Sequence, residues 1–202
     1  SDVRVAWQGP DNPGDFITLV PAGAPEGTWE AYEYTAHGNP ASMRAPEQPG
    51  EYEVRYVTGQ SAATLASARL VVTAATATVS APAEVPAGSL FEVAWTGPDN
   101  SGDYITVVPA GAPEGTWEAY EYTAHGNPAV MRAPGEPGRY EVRYATGAEN
   151  RTLARATVTV TAVSATVSAP RSVPAGAEVE VAWTGPDNPG DFITIVPAGA
   201  EE

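Results

Sequence analysis

The chain has 202 residues, 25 of them acidic, and carries a net charge of −15; its 10 basic residues are all arginine, and it has no cysteine. That balance argues against nucleic acid and anionic membrane surfaces as partners, because both need a cationic footprint. The missing cysteines exclude a disulfide framework, and no apolar run reaches the ~18 residues of a membrane span.

An internal period governs the rest. Trp7, Trp95 and Trp183 stand in Val-Ala-Trp contexts spaced 88 apart, and Pro21 to Ala41 recurs letter for letter as Pro109 to Ala129. Val181 to Ala200 departs from Val5 to Ala24 only at Thr184 and Ile195. Such self-similarity is read before any single motif. It divides the chain into a partial repeat over 1–75, a complete one over 76–164 and a second partial one over 165–202. Because the chain starts inside a repeat, it reads as a window on a longer polypeptide.

Within the complete copy, Thr76 to Ala81 is short, β-branched and stops at Pro82, which predicts a first strand. Pro86-Ala-Gly88 predicts a turn. Leu90 to Thr96 alternates, with Phe91, Val93 and Trp95 on one face, the pattern of a half-buried strand. After the turn Gly97 to Gly102, Tyr104 to Val108 is apolar on both faces and predicts a central strand. Pro109 to Gly115 is a loop, since its prolines are unsuited to a central strand. Trp117 to Thr123 predicts a strand, Ala124 to Pro128 a turn and Ala129 to Ala133 a short strand. Tyr140 to Tyr144 follows, with Tyr140, Val142 and Tyr144 inward and Glu141 and Arg143 outward. Leu153 to Thr161 closes the unit with Val158 and Val160 inward. Seven short strands without helical periodicity predict a two-sheet antiparallel sandwich.

The junction Thr157 to Ser168 has neither glycine nor proline, and nor does Val71 to Ser80. A flexible linker is Gly/Ser-rich; this one is β-branched, which predicts a stiff joint between copies.

Two stretches carry a resemblance. Pro137-Gly-x-Tyr-x-Val-x-Tyr144 resembles the start of strand F in immunoglobulin-like domains, where a tyrosine hydroxyl bonds back to the backbone; Tyr140 and Tyr52 take that part. Together with Gly102 to Gly111, Tyr120-Glu-Tyr122 and Arg132 to Tyr144, the unit resembles the Ig-like module repeated in large bacterial proteins that also carry a von Willebrand factor A domain. More distantly, the Gly-Asp-aromatic-Ile start resembles sandwich modules attached to phosphatases and SKICH-type adaptor domains. The resemblance implies an all-β array of tandem Ig-like sandwiches in a secreted or envelope-associated protein, and it brings no catalytic residues.

Three constellations bear on function. His37 and His125 are one repeat position in a loop, and with no cysteine and no Gly-x-Ser-x-Gly elbow no nucleophile–base pair is available; the chain is read as a non-enzyme. Asp99, Asn100 and Asp103, with Asp11, Asn12 and Asp15 in the first copy, offer the hard oxygen ligands calcium prefers. The same residue types also serve turns by bonding their own backbone, and turn chemistry is the preferred reading there. Trp117, Tyr120 and Tyr122 suggest an aromatic sugar platform, but alternation divides them between two faces unless the strand is bulged, so core and sheet packing is the expected use.

The functional expectation is a stiff, repetitive structural segment of an extracellular or cell-envelope bacterial surface protein or fibre, with no cofactor and with neighbouring repeats of the same or an identical chain as partners. The alternative is a glycan- or protein-binding adhesion module, calcium-dependent in one version.

Overall fold

Alternating and β-branched stretches become strands wherever a partner strand lies beside them. The computed structural model describes residues 2–200 and is all-β, with two short 3-10 turns at Thr35–His37 and Thr123–His125 and no α-helix among the described residues. Two compact units divide the chain, Ser1–Thr76 and Ala77–Glu202.

In the first unit, β1 (Asp2–Val5), β2 (Phe16–Pro21), β3 (Ala31–Tyr34), β4 (Ala41–Arg44), β5 (Gly50–Val57) and β6 (Thr64–Val72) form two sheets. One is the antiparallel pair β1-β4, the other has the order β3-β2-β5-β6. Ile17, Leu19, Ala41, Met43 and Tyr56 make the buried core, with Val5, Trp7, Val54 and Leu70 only partly covered.

In the second unit, β7 (Thr78–Ser80), β8 (Glu84–Pro86), β9 (Leu90–Thr96), β10 (Tyr104–Pro109), β11 (Ala119–Tyr122), β12 (Ala129–Arg132), β13 (Gly138–Ala145) and β14 (Thr152–Thr161) build sheets of order β12-β9-β7 and β11-β10-β13-β14-β8. Phe91, Val93 and Trp95 of β9 meet Ile105, Val107, Val142, Tyr144, Val158 and Val160 of the other sheet in one core. Each fully buried aliphatic side chain in such a core contributes ~1.5–3 kcal/mol. The predicted bond back to the chain is present: the Tyr140 hydroxyl donates to the Glu136 carbonyl at 3.0 Å, and Tyr52 to Gln48 at 2.9 Å.

The structure adds a strand, β8, where the sequence predicts no element before the turn that begins at Pro86. After β7 pairs antiparallel with β9, the chain crosses over and β8 pairs parallel with β14, Val85 facing Val160. Val85 is buried with the core. β7 and β8 lie over positions of the second unit whose counterparts stay partly open in the first: Trp95 and Val142 are buried, whereas Trp7 and Val54 are not.

Two further expectations are corrected. The strand expected from Trp117 starts only at Ala119. Thr106 Oγ1 accepts from the Glu118 amide at 3.3 Å and donates to the Ala119 carbonyl at 3.0 Å, so a side chain takes the place of the first ladder bonds. Arg143, expected in solvent, is 1% exposed, because the loop after β10 folds over the outer face of the sheet.

Beyond β14, β15 (Thr166–Ser168) and β16 (Ala182–Thr184) form a short antiparallel pair. The stretch 192–196 nearly repeats the sequence of β2, yet it pairs with nothing among the described residues and Phe192 is 83% exposed. A strand needs partners on its edges and faces, and the same residues without them stay irregular.

Candidate functional site

The predicted calcium loop is organised around one buried carboxylate. Asp103 Oδ1 accepts from the Gly147 amide at 3.0 Å; Oδ2 accepts from the Tyr144 hydroxyl at 2.8 Å and the Asn100 amide at 3.0 Å. The Asp103 carbonyl in turn accepts from the Thr123 amide at 3.0 Å and its hydroxyl at 3.2 Å. Asp103 therefore ties together the loop before β10, the end of β11 and the loop after β13. Asp99 stands at φ 51°, in the left-handed region, and its amide donates to the Tyr144 hydroxyl at 2.9 Å.

The first unit repeats the arrangement. Asp15 accepts from Gly59 at 3.0 Å, Tyr56 at 2.8 Å and Asn12 at 3.0 Å, and Asp11 has φ 54°. The Gly59 amide, helped by Tyr56 and Asn12 and opposed by burial, holds the Asp15 carboxyl below its ordinary 3.8. Burial, more than the neighbouring carboxylates, pushes the phenols of Tyr56 and Tyr144 above 10.0. No group of three or more His, Cys, Asp or Glu side chains gathers in metal-binding geometry among the described residues.

His125 lies in the 3-10 turn after β11 and its Nδ1 contacts Glu121. The next loop is fixed by Asn127, whose side chain accepts from the Trp95 amide at 3.3 Å and donates to its carbonyl at 2.7 Å. The histidine is a turn residue, with no second histidine beside it in its unit.

On the outer face of the five-stranded sheet the loop 109–118 is clamped down. Arg143 donates to the Ala112 carbonyl at 2.6 Å and the Pro113 carbonyl at 2.9 Å, and forms a two-bond pair with Glu141 at 2.9 and 2.7 Å. Glu114 reaches from the loop to the Thr152 amide and to Arg155. The clamp presents Trp117 beside β11.

The aromatic residues are thus on the surface and not in the core, which corrects the packing expectation. Trp117 is 56% exposed, Tyr120 44% and Tyr122 40%. Tyr120 and Tyr122 share a strand face, and Trp117, freed from the ladder, joins them. Ring centroids run Trp117–Tyr120 at 5.5 Å, Tyr120–Tyr122 at 5.3 Å and Tyr122–His125 at 5.8 Å, all edge to face. Tyr104 approaches Tyr120 at 5.8 Å, and its hydroxyl donates to Asn150 Oδ1 at 3.1 Å. Tyr104, Trp117, Tyr120, Tyr122 and Asn150, with Gly102 and Gly147, line a shallow dish of about 260 Å³. A contiguous exposed aromatic patch marks an interaction surface more often than a scattered one does.

Asn150 and the buried Arg143 were missed from sequence. Asn150 carried no signal of its own: where the second copy has Tyr104 and Asn150 the first has Phe16 and Ala62, but residues 60–63 differ from 148–151 at every position. No protein-family model matches the chain, and no curated protein matches it.

Proposed function

We propose that the chain is a structural segment of an extracellular bacterial surface protein or fibre, a stiff array of tandem Ig-like β-sandwiches. Neighbouring copies of the repeat are its partners.

The observation that carries this reading lies within the second unit, where residues after β14 bond to the sandwich before them. Arg132 donates to the Pro189 carbonyl at 3.1 Å, and the Asn188 side chain donates to the Ala87 carbonyl at 3.4 Å. A loop of one copy thus rests on a turn of the preceding copy, next to a connection free of glycine and proline. Recurrence of the same strand pairings at an offset of 88, such as Phe16 with Tyr34 and Tyr104 with Tyr122, supports the array.

Small-angle scattering on a three-copy protein tests it. A strand of 10 residues such as β14 spans about 33 Å at ~3.3 Å per residue, so each copy, with its loops, should lengthen the particle by roughly 35–45 Å. A compact or broadly distributed particle overturns the rod.

A further inference from the structure

We propose that the dish beside Trp117 binds an uncharged sugar ring of a neutral glycan. This inference is independent of the structural role proposed above.

The first argument is shape. Clefts that enclose drug-sized ligands measure ~300–1,000 Å³; a shallow dish of about 260 Å³ suits a single ring better than an extended peptide, which advances ~3.1 Å per residue. The floor is held clear by backbone. A Cβ added at Gly147 would lie 2.3 Å from the Gly102 carbonyl carbon, so no side chain fits between the two strand ends. The walls are the exposed Trp117, Tyr120 and Tyr122 rings, set edge to face so that ring surface remains open to a ligand, while the buried Tyr104 backs Tyr120 from beneath.

The second argument is chemistry. The C–H face of a sugar packs on aromatic rings while its hydroxyls require both donors and acceptors. The Asn150 side-chain amide supplies two donors and keeps acceptor capacity beside the bond it receives from Tyr104. A polyproline peptide offers carbonyl acceptors only and has no use for the acceptor. Charge narrows the ligand further. Glu118 and Glu121 flank the aromatic residues in a chain of net charge −15, which disfavours an anionic ligand and a second copy of this chain alike.

The third argument is the internal comparison. The first unit keeps the ring series Trp29, Tyr32, Tyr34 and His37. With Phe16 and Ala62 in place of Tyr104 and Asn150 it has lost the polar rim. The two shelves should therefore differ in affinity, with the second the tighter.

Calorimetric titration of the whole chain with maltoheptaose, cellohexaose and chitopentaose, and with decaproline as the competing probe, tests the proposal. At least one sugar should saturate a single tighter site. Trp117→Ala should weaken that site by about tenfold or more, and Asn150→Ala by several-fold, with melting temperatures showing that both variants fold. Trp29→Ala should leave it unchanged. Introducing Phe16→Tyr with Ala62→Asn should raise the first unit to a second site of similar affinity. The proposal is overturned if no sugar saturates at about millimolar concentration, if binding survives Trp117→Ala, or if decaproline binds where the sugars do not.

Discussion

The Tyr144 hydroxyl sits between two parts of one loop, donating to the Asp103 carboxylate at 2.8 Å and accepting from the Asp99 amide at 2.9 Å. A hydroxyl from the core-facing side of β13 thereby closes the turn that leads into β10, and one buried group serves both packing and loop conformation. Tyr144→Phe keeps the ring and its contact with Trp95, whose centroid is 5.7 Å away, but leaves the Asp99 amide and one carboxylate position unpaired. The expected cost is about 1–3 kcal/mol, read as a lower urea midpoint for the second unit. Tyr56→Phe should do the same to the first, since Tyr56 bridges Asp15 and Asp11 alike. An unchanged midpoint would mean that water replaces the hydroxyl without loss.

Calcium is expected to leave this loop unmoved. Three protein donors already point at the Asp103 carboxylate, and an ion entering there must displace them. A ligand present at a hundred times its dissociation constant stabilises a fold by about 2.7 kcal/mol, which a thermal scan detects easily. Scans in millimolar calcium and in chelator should superimpose. A rise of several degrees in calcium that vanishes in Asp103→Asn would instead make Asp99, Asn100 and Asp103 a metal site.

Acid should loosen the fold through Asp15 and Glu141. Asp15 is lowered below 3.8 by the Gly59 amide first, and Glu141 below 4.5 by Arg143 first. A carboxylate whose folded value is depressed contributes stability above its unfolded value and loses it as pH falls through the folded one. Stability should therefore be flat above about pH 5 and decline below about pH 4. Asp15→Asn should flatten the acid limb of the first unit. An acid limb identical in Asp15→Asn and the parent would remove this carboxylate from the cause.

Much of this was legible because the chain alternates where strands are half buried. Leu90 to Thr96 reads as a strand, and all three of its inward residues are buried. Tyr140 was legible through its spacing from Pro137 and Gly138. The outer face was not legible, because what covers it comes from a loop. Alternation places Arg143 outward, but nothing local says that residues 112 and 113 return over it. The shelf of Trp117, Tyr120 and Tyr122 is disfavoured by the sequence for a related reason. Strict alternation from Trp117 assumes a ladder, and Thr106 replaces that ladder with side-chain bonds. Val85 shows the opposite failure: the stretch between Pro82 and the turn at Pro86 is too short to show alternation, although three residues suffice for a parallel pairing at a sheet edge.

The Arg143 clamp separates the stability of the sheet from the order of the loop it holds. Its guanidinium joins β13 to the carbonyls of Ala112 and Pro113 and to Glu141 at once. A planar fork reaches those partners together, whereas an ammonium on a flexible stem reaches fewer. Buried ion pairs are weak evidence of net stabilisation, yet removing one partner alone is costly, up to about 3–5 kcal/mol. Arg143→Met should lower the unfolding midpoint of the second unit, and Arg143→Lys should recover only part of the loss. Arg143→Met takes from Glu141 its two-bond partner and leaves Arg155 at 3.5 Å to offset only part of that loss; adding Glu141→Gln should therefore restore part of the stability, a coupling that a double-mutant cycle measures. The loop should respond more strongly than the sheet. With its carbonyl anchors gone, limited proteolysis should cut between residues 109 and 118 in Arg143→Met under conditions that spare the parent, and the Trp117 environment should change with it. If the loop stays protected while the midpoint falls, the clamp acts on the sheet alone and Trp117 is positioned by the Thr106 bonds to Glu118 and Ala119.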